Sequence, residues 1–295
     1  MVRPALSSVS LRELEGFVTY LLEADSGKMV QAPALDSTRP EVWETKTASH
    51  TLLELPAEMA AHGYDCYDLT MLLLPSIDRG YLAEVRAAFE AAKVEIFQLL
   101  IDTGEVGSPD PDERQAGIDH TKFFIEVAAQ LGASGVRYVP GDSRASPENM
   151  GDTAAAFREL YDFAQSYGLK VATENYRVFT TDADSLLGLV ELSERDYGWI
   201  VDTGNPKGPG KYDGLAKLYP GATSMHAWAL ANKDGAPDWE EFRHCMTMAR
   251  DGGFDGPIML HGAYGIDNFS WAPDLWSGID TMRDEVLVVF GDDSQ

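Results

Sequence analysis

From residue 51 onward, two hydrophobic periods alternate along the chain. Stretches in which apolar residues recur every three or four positions predict amphipathic helices, and the short apolar runs between them predict buried strands. Residues 81–93 show the first kind, with Leu82, Val85, Phe89 and Ala92 on one face, and the run EIFQLLID shows the second. The same reading places helices at 51–62, 118–131, 153–167, 185–195, 213–218, 239–250 and 278–290. The strand runs between them are YDCYDL, VRYVPGD, LKVATEN, YGWIVDTGN, ATSMHAW and PIMLHG. Punctuation supports these boundaries. Gly168 suits a helix C-terminus, and Asp238 with Glu241 three residues on has the spacing of a capping box.

Seven helix-then-strand units and a final helix leave one strand to find, and residues 4–11 can supply it. Regular alternation argues for a parallel sheet with helical crossovers, and eight units in about 250 residues is the arithmetic of a (β/α)8 TIM barrel. A doubly wound open sheet is the alternative, but no GxGxxG phosphate turn follows the first strand. The expected domain is therefore one TIM barrel spanning 1–295, with an insertion at about 13–50 after the first strand. Within that insertion, FVTYLLEADSGKMVQAPAL predicts a hairpin across ADSGK. It could cover the barrel mouth or mediate oligomer contacts.

In a barrel of this kind the chemistry sits at the C-terminal ends of the strands. The polar residues there are Asp68, Gln98, Asp102, Asp142, Glu174, Asp202, His226 and His261. The last four come from successive strand–helix units, so they stand on neighbouring staves. By strand alternation Glu174 shares a face with Ala172, His226 with Ser224, and His261 with Met259, which suits a narrow interior with a polar rim. Trp228 has the parity of His226. A lone strand-end Asp is usually a cap, and a lone buried His is usually hydrogen-bonded. Four such residues in succession favour one divalent metal held by Glu174, Asp202, His226 and His261. Mixed carboxylate and imidazole ligands suit a transition ion, Mn²⁺ first, with Co²⁺, Fe²⁺, Ni²⁺ or Zn²⁺ as alternatives. Asp68, Asp102 and Asp142 read more readily as structural.

Composition narrows the partners. The net charge is −25, from 48 acidic and 23 basic residues among 295. Such a chain repels nucleic acid and anionic membranes at long range. No apolar run reaches the length of a membrane span, and no hydrophobic leader stands at the N-terminus, so a cytoplasmic protein is expected. The two cysteines, Cys66 and Cys245, lie in apolar patterns and read as buried small hydrophobes.

The segments VATENY, IVDTGN and SMHAW resemble three consecutive strand ends of the xylose isomerase-like TIM barrels, over roughly residues 51–290. The resemblance implies Glu174, Asp202 and His226 as metal ligands. It also implies a sugar-like or hydroxy-carbonyl substrate and isomerase or epimerase chemistry by proton abstraction through an enediolate. Two departures stand out. The family's last strand ends in Glu, where this chain has His261, and Asn205 stands where His often follows Asp-Thr-Gly. Glu174 and His261 are thus the expected proton-transfer pair, with Asn205, Trp228, Arg177 and Asp142 as substrate contacts. Tyr176, Tyr264, Trp271 and Trp276 are further aromatic candidates, with packing of the last helix against the barrel an equal alternative for Trp271 and Trp276, and Lys207 is a further cation. Two other readings stay open: a lyase in the same site, dehydrating or deglycosylating a keto-sugar, and a non-catalytic barrel that binds a sugar or a partner subunit. A homo-oligomer or a second subunit is compatible with each.

Overall fold

The computed structural model describes residues 2–7, 19–22, 29–32, 50–234, 236–262 and 272–291. The first strand, β1, is Arg3–Ser7 and overlaps the expected 4–11, of which residues 8–11 lie outside the described ones. β2 (Thr19–Leu22) and β3 (Met29–Ala32) form an antiparallel pair in the register Thr19↔Ala32 to Leu22↔Met29. This is the expected hairpin within the insertion. β2 lies against the 3-10 turn Met71–Leu73, on the side where the barrel strands end.

The alternating series then begins. It runs α1 (Leu55–Ala61), β4 (Cys66–Thr70), α2 (Arg79–Ala92), β5 (Glu95–Ile101), α3 (Pro111–Leu131), β6 (Gly135–Tyr138) and α4 (Pro147–Ser166). It continues through β7 (Lys170–Glu174), a single turn α5 (Arg177–Thr180), α6 (Ala183–Ser193), β8 (Gly198–Asp202) and α7 (Lys211–Leu218). β9 (Ser224–Trp228), α8 (Trp239–Asp251), β10 (Pro257–His261) and α9 (Leu275–Phe290) complete it. Eight parallel strands close a barrel in the order β1-β10-β9-β8-β7-β6-β5-β4. Closure comes from β1, which pairs Leu6 with Leu260 on one side and Ser7 with Asp68 on the other.

Two helices begin earlier than periodicity alone suggests, and both for capping reasons. α3 starts at Pro111 behind Asp110, whose side chain accepts from the N–H groups of Asp112 and Glu113. α4 starts at Pro147 behind Ser146, which exchanges capping bonds with Asn149. These first turns are polar, so a hydrophobic pattern does not reach them.

The core has two parts. Inside the barrel, Ala5, Cys66 and Met259 pack together with Phe97, and Leu100, Ala172 and Ile200 form a second small group. Between barrel and helices lies the large cluster, with Phe89, Phe124, Phe157 and Phe242 among its buried rings. Each such side chain withdrawn from water contributes on the order of 1.5–3 kcal/mol. Both cysteines are free and buried, as expected. No described helix is long and apolar enough to cross a membrane.

Candidate active site

Strand register sets the site. Asp202 on β8 pairs with His226 on β9, and His226 pairs with Met259 on β10, two residues before His261. The side chains of Asp202, His226 and His261 offer ligand atoms that all lie within 4.8 Å of one another, and all three residues are buried. Glu174 on β7 joins them: its Oε1 is 3.3 Å from His226 Nδ1, while Asp202 Oδ2 is 3.8 Å from the same nitrogen. Three of the four residues expected at one centre thus converge as possible ligands, and Glu174 stands beside them against His226.

Local sequence explains why they stay there. Asn175, next to Glu174, donates its Nδ2 to the Asp202 carbonyl at 2.9 Å and accepts the Asp202 N–H at 2.6 Å, which locks β7 to β8. The N–H groups of Gly204 and Asn205 both donate to Asp202 Oδ1 at 2.7 Å. The Trp228 indole N–H donates to Asp202 Oδ2, also at 2.7 Å. Gly204 is required for this packing, since a Cβ there would stand 2.6 Å from the Trp228 ring. Trp228 and His226 flank the His261 ring with centroid distances of 4.6 and 4.3 Å. Asn205 Nδ2 reaches Glu174 Oε1 at 3.3 Å.

Two residues complete the floor. Asp68 on β4 is fully buried and places Oδ2 3.1 Å from His226 Nε2, so it orients the imidazole from behind. Arg137 on β6 is buried and is absent from any sequence-level candidate set. Its Nε stands 2.9 Å from Glu174 Oε2, its terminal nitrogen 2.8 Å from Asp102 Oδ1, and its guanidinium carbon 5.6 Å from the Tyr176 ring centroid. The Nε–H is not aimed at Glu174 Oε2, so that contact is coulombic rather than a formed hydrogen bond. A signal for Arg137 did exist. Val136 and Tyr138 on either side belong to the outer core, and alternation therefore sends Arg137 inward.

The remaining candidates take definite places. Arg177 adopts a left-handed backbone at φ 57° and is tied to Asp142 and Glu105, with a further bond of 2.8 Å to the Asp102 carbonyl. Asp142 is thus held at the rim by Arg177. Lys207 reaches back to the Gly204 carbonyl. Trp276 does not line the mouth: its ring stacks on His62 at 4.1 Å and its N–H donates to Glu58, packing α9 onto α1. Tyr264 and Trp271 lie outside the described residues.

Burial and neighbours push these groups in opposite directions. Burial raises the Asp68 and Asp202 carboxyls, and His226 only partly opposes it. Burial would raise Glu174 too, but the charges of Arg137 and His226 hold it below the usual carboxylate range. Burial would lower His226, yet Glu174, Asp202 and Asp68 together lift it well above its ordinary value. Burial, His226 and Arg137 depress His261, keeping it neutral.

A metal can be tested against this donor set. Both ring nitrogens of His261 are buried and without a hydrogen-bond partner among the described residues. Each unmet polar atom costs on the order of 1–3 kcal/mol, so a cation facing that ring would satisfy a real deficit. A neutral imidazole beside a second imidazole and a carboxylate is also a suitable chemical set for a divalent transition ion. The residues fit.

Comparison with known proteins agrees with this architecture. Residues 56–267 match the family model described as xylose isomerase-like TIM barrel. A 3-keto-D-glucoside 4-epimerase, YcjR, from E. coli is 16% identical, covering 81% of this chain and 93% of that one, with a TM-score of 0.56. A xylose isomerase-like protein from Mycobacterium smegmatis, solved in complex with magnesium, is 17% identical over 98% of this chain and 96% of that one, TM-score 0.63. The IolI protein with a bound zinc atom is 18% identical over 81% and 92%, TM-score 0.62. At these identities the structural likenesses speak for the fold. No curated protein matches the sequence.

Proposed function

The chain belongs to the xylose isomerase-like TIM barrel family, and on that premise we propose that it is a divalent-metal-dependent isomerase or epimerase of a keto-sugar or similar hydroxy-carbonyl compound. The observation that carries this reading is the convergence of Asp202, His226 and His261 beside a carboxylate, Glu174, kept ionised by Arg137. The epimerase named among the structural relatives points to the same substrate class.

Asp202, His226 and His261 would hold the ion, with Glu174 at their edge. When bound, the ion supplies Lewis-acid stabilisation of the oxyanion that develops as a proton leaves the adjacent carbon. Glu174 is the base: ionised, buried and steadied by Asn205, it accepts that proton. His261 can either ligate the ion or move a proton near neutral pH, and as a ligand it leaves proton transfer to Glu174. Asn205 and Trp228 line the approach and bind sugar hydroxyls and a ring face. Arg177 and Asp142 form the rim above them.

A second reading, a lyase on the same substrate class, is favoured by one feature. Glu174 is the single carboxylate poised as a base, and His261 replaces what would be its partner. Elimination needs only one base and one acid. Incubation of candidate keto-sugars in D₂O distinguishes the readings. Deuterium incorporation with unchanged covalent mass otherwise supports isomerisation, and loss of water or of an aglycone supports the lyase. No exchange with any 3-keto-sugar or ketohexose, by metal-loaded protein, would remove both.

A further inference from the structure

Which ion the centre prefers is written in its donor atoms. We propose that His261 sets this preference, making the site a low-coordinate, two-imidazole centre that favours Zn²⁺ or Co²⁺ over Mn²⁺ and Mg²⁺. The inference rests on the metal-dependent reading above and goes beyond it.

Three observations carry it. First, His261 contributes an imidazole whose two ring nitrogens are buried and have no hydrogen-bond partner among the described residues. Together with His226 it gives two nitrogen donors on neighbouring strands, with ring centroids 4.3 Å apart. Nitrogen donors steepen the rise in affinity from Mn²⁺ towards the later transition ions, whereas Mg²⁺ and Mn²⁺ favour oxygen. Second, the oxygen donors are restricted. Asp202 Oδ1 already accepts two backbone N–H groups, and Oδ2 accepts the Trp228 N–H, so this carboxylate can ligate through one oxygen only. Glu174 Oε2 faces Arg137, which leaves at most Oε1. Few single-atom donors suit an ion content with four or five ligands, not one that demands six oxygens. Third, Asp68 sits behind His226 Nε2 at 3.1 Å, an arrangement that strengthens an imidazole as a ligand.

The test is metal binding, not turnover. Metal-stripped protein is titrated with Zn²⁺ and with Mn²⁺ in competition with a chelator, for the unaltered chain and for His261→Glu. The zinc-to-manganese affinity ratio should fall about tenfold or more in His261→Glu, because one nitrogen becomes oxygen. An unchanged ratio overturns the inference while leaving the metal-dependent function standing. Failure of the unaltered chain to bind either ion overturns both. Should His261→Glu not fold, the visible spectrum of the Co²⁺-loaded unaltered chain decides. Intense bands of a four- or five-coordinate ion support the proposal, and the faint bands of a six-coordinate ion overturn it.

Discussion

The two halves of the barrel rim contain the same acidic residue types and treat them in opposite ways. Around β5–β7, Asp102 and Glu174 face Arg137, and Glu105 and Asp142 face Arg177. Around β4 and β8–β10, Asp68 and Asp202 have no arginine or lysine partner among the described residues and share His226 instead. The physical consequence is visible in their proton affinities. Arg137 holds Glu174 down, whereas burial lifts Asp68 and Asp202. The first half is balanced by the chain's own cations. The second is short of positive charge, and a divalent ion there would complete it. Glu174 stands at the seam, which suits a base that acts beside an ion.

That contrast can be broken from either side. The largest effect falls on chemistry. Glu174→Gln removes the base and should slow proton exchange on a keto-sugar by roughly 10³, about 4 kcal/mol, with the fold intact. A loss of only a few-fold would move the base elsewhere.

Next in size is the arginine half. Arg137→Met leaves the buried Glu174 and the half-buried Asp102 without their cation and should cost about 3–5 kcal/mol in urea unfolding. Adding Glu174→Gln to Arg137→Met should recover part of that loss. Simple additivity of the two changes would show that the pair does not interact.

A smaller, pH-dependent effect sharpens the same half. His120 is buried on α3, its Nε2 2.7 Å from Thr103 Oγ1 beside Asp102, and burial pushes its imidazole down to about 4. The unfolded chain therefore binds more protons than the folded one below about 6.5. Stability should fall as pH drops from about 6.5 towards 4, by at most about 3 kcal/mol from this residue. His120→Gln should flatten that part of the curve, and an unchanged slope would assign it to other groups. The smallest effect is the control. Asp162 pairs with Arg195 on the open surface at 2.7 Å, and Asp162→Asn should leave the urea midpoint unmoved.

The barrel itself was legible because strand and helix periods differ so clearly from residue 51 on. The hairpin in the insertion was legible from ADSGK between two apolar stretches. Asp202, His226 and His261 were readable because each ends an apolar run, where a barrel displays its chemistry. Arg137 is not visible in the sequence, because a charged residue within VRYVPGD reads as a solvated strand position until its buried neighbours are known. The role of Asp68 was hidden for another reason. It acts through His226, 158 residues away in sequence, across the closure of the barrel. Trp276 takes the second of the two roles its sequence position leaves open, packing the last helix, with its ring occupied by His62 and Glu58.

The most direct test of the centre is the metal content of the purified protein after incubation with a divalent transition ion and desalting, measured beside His226→Ala. A metal centre at Asp202, His226 and His261 predicts about one ion per chain in the unaltered protein and its loss in the variant. Equal metal content in the two, or none in either, would contradict it.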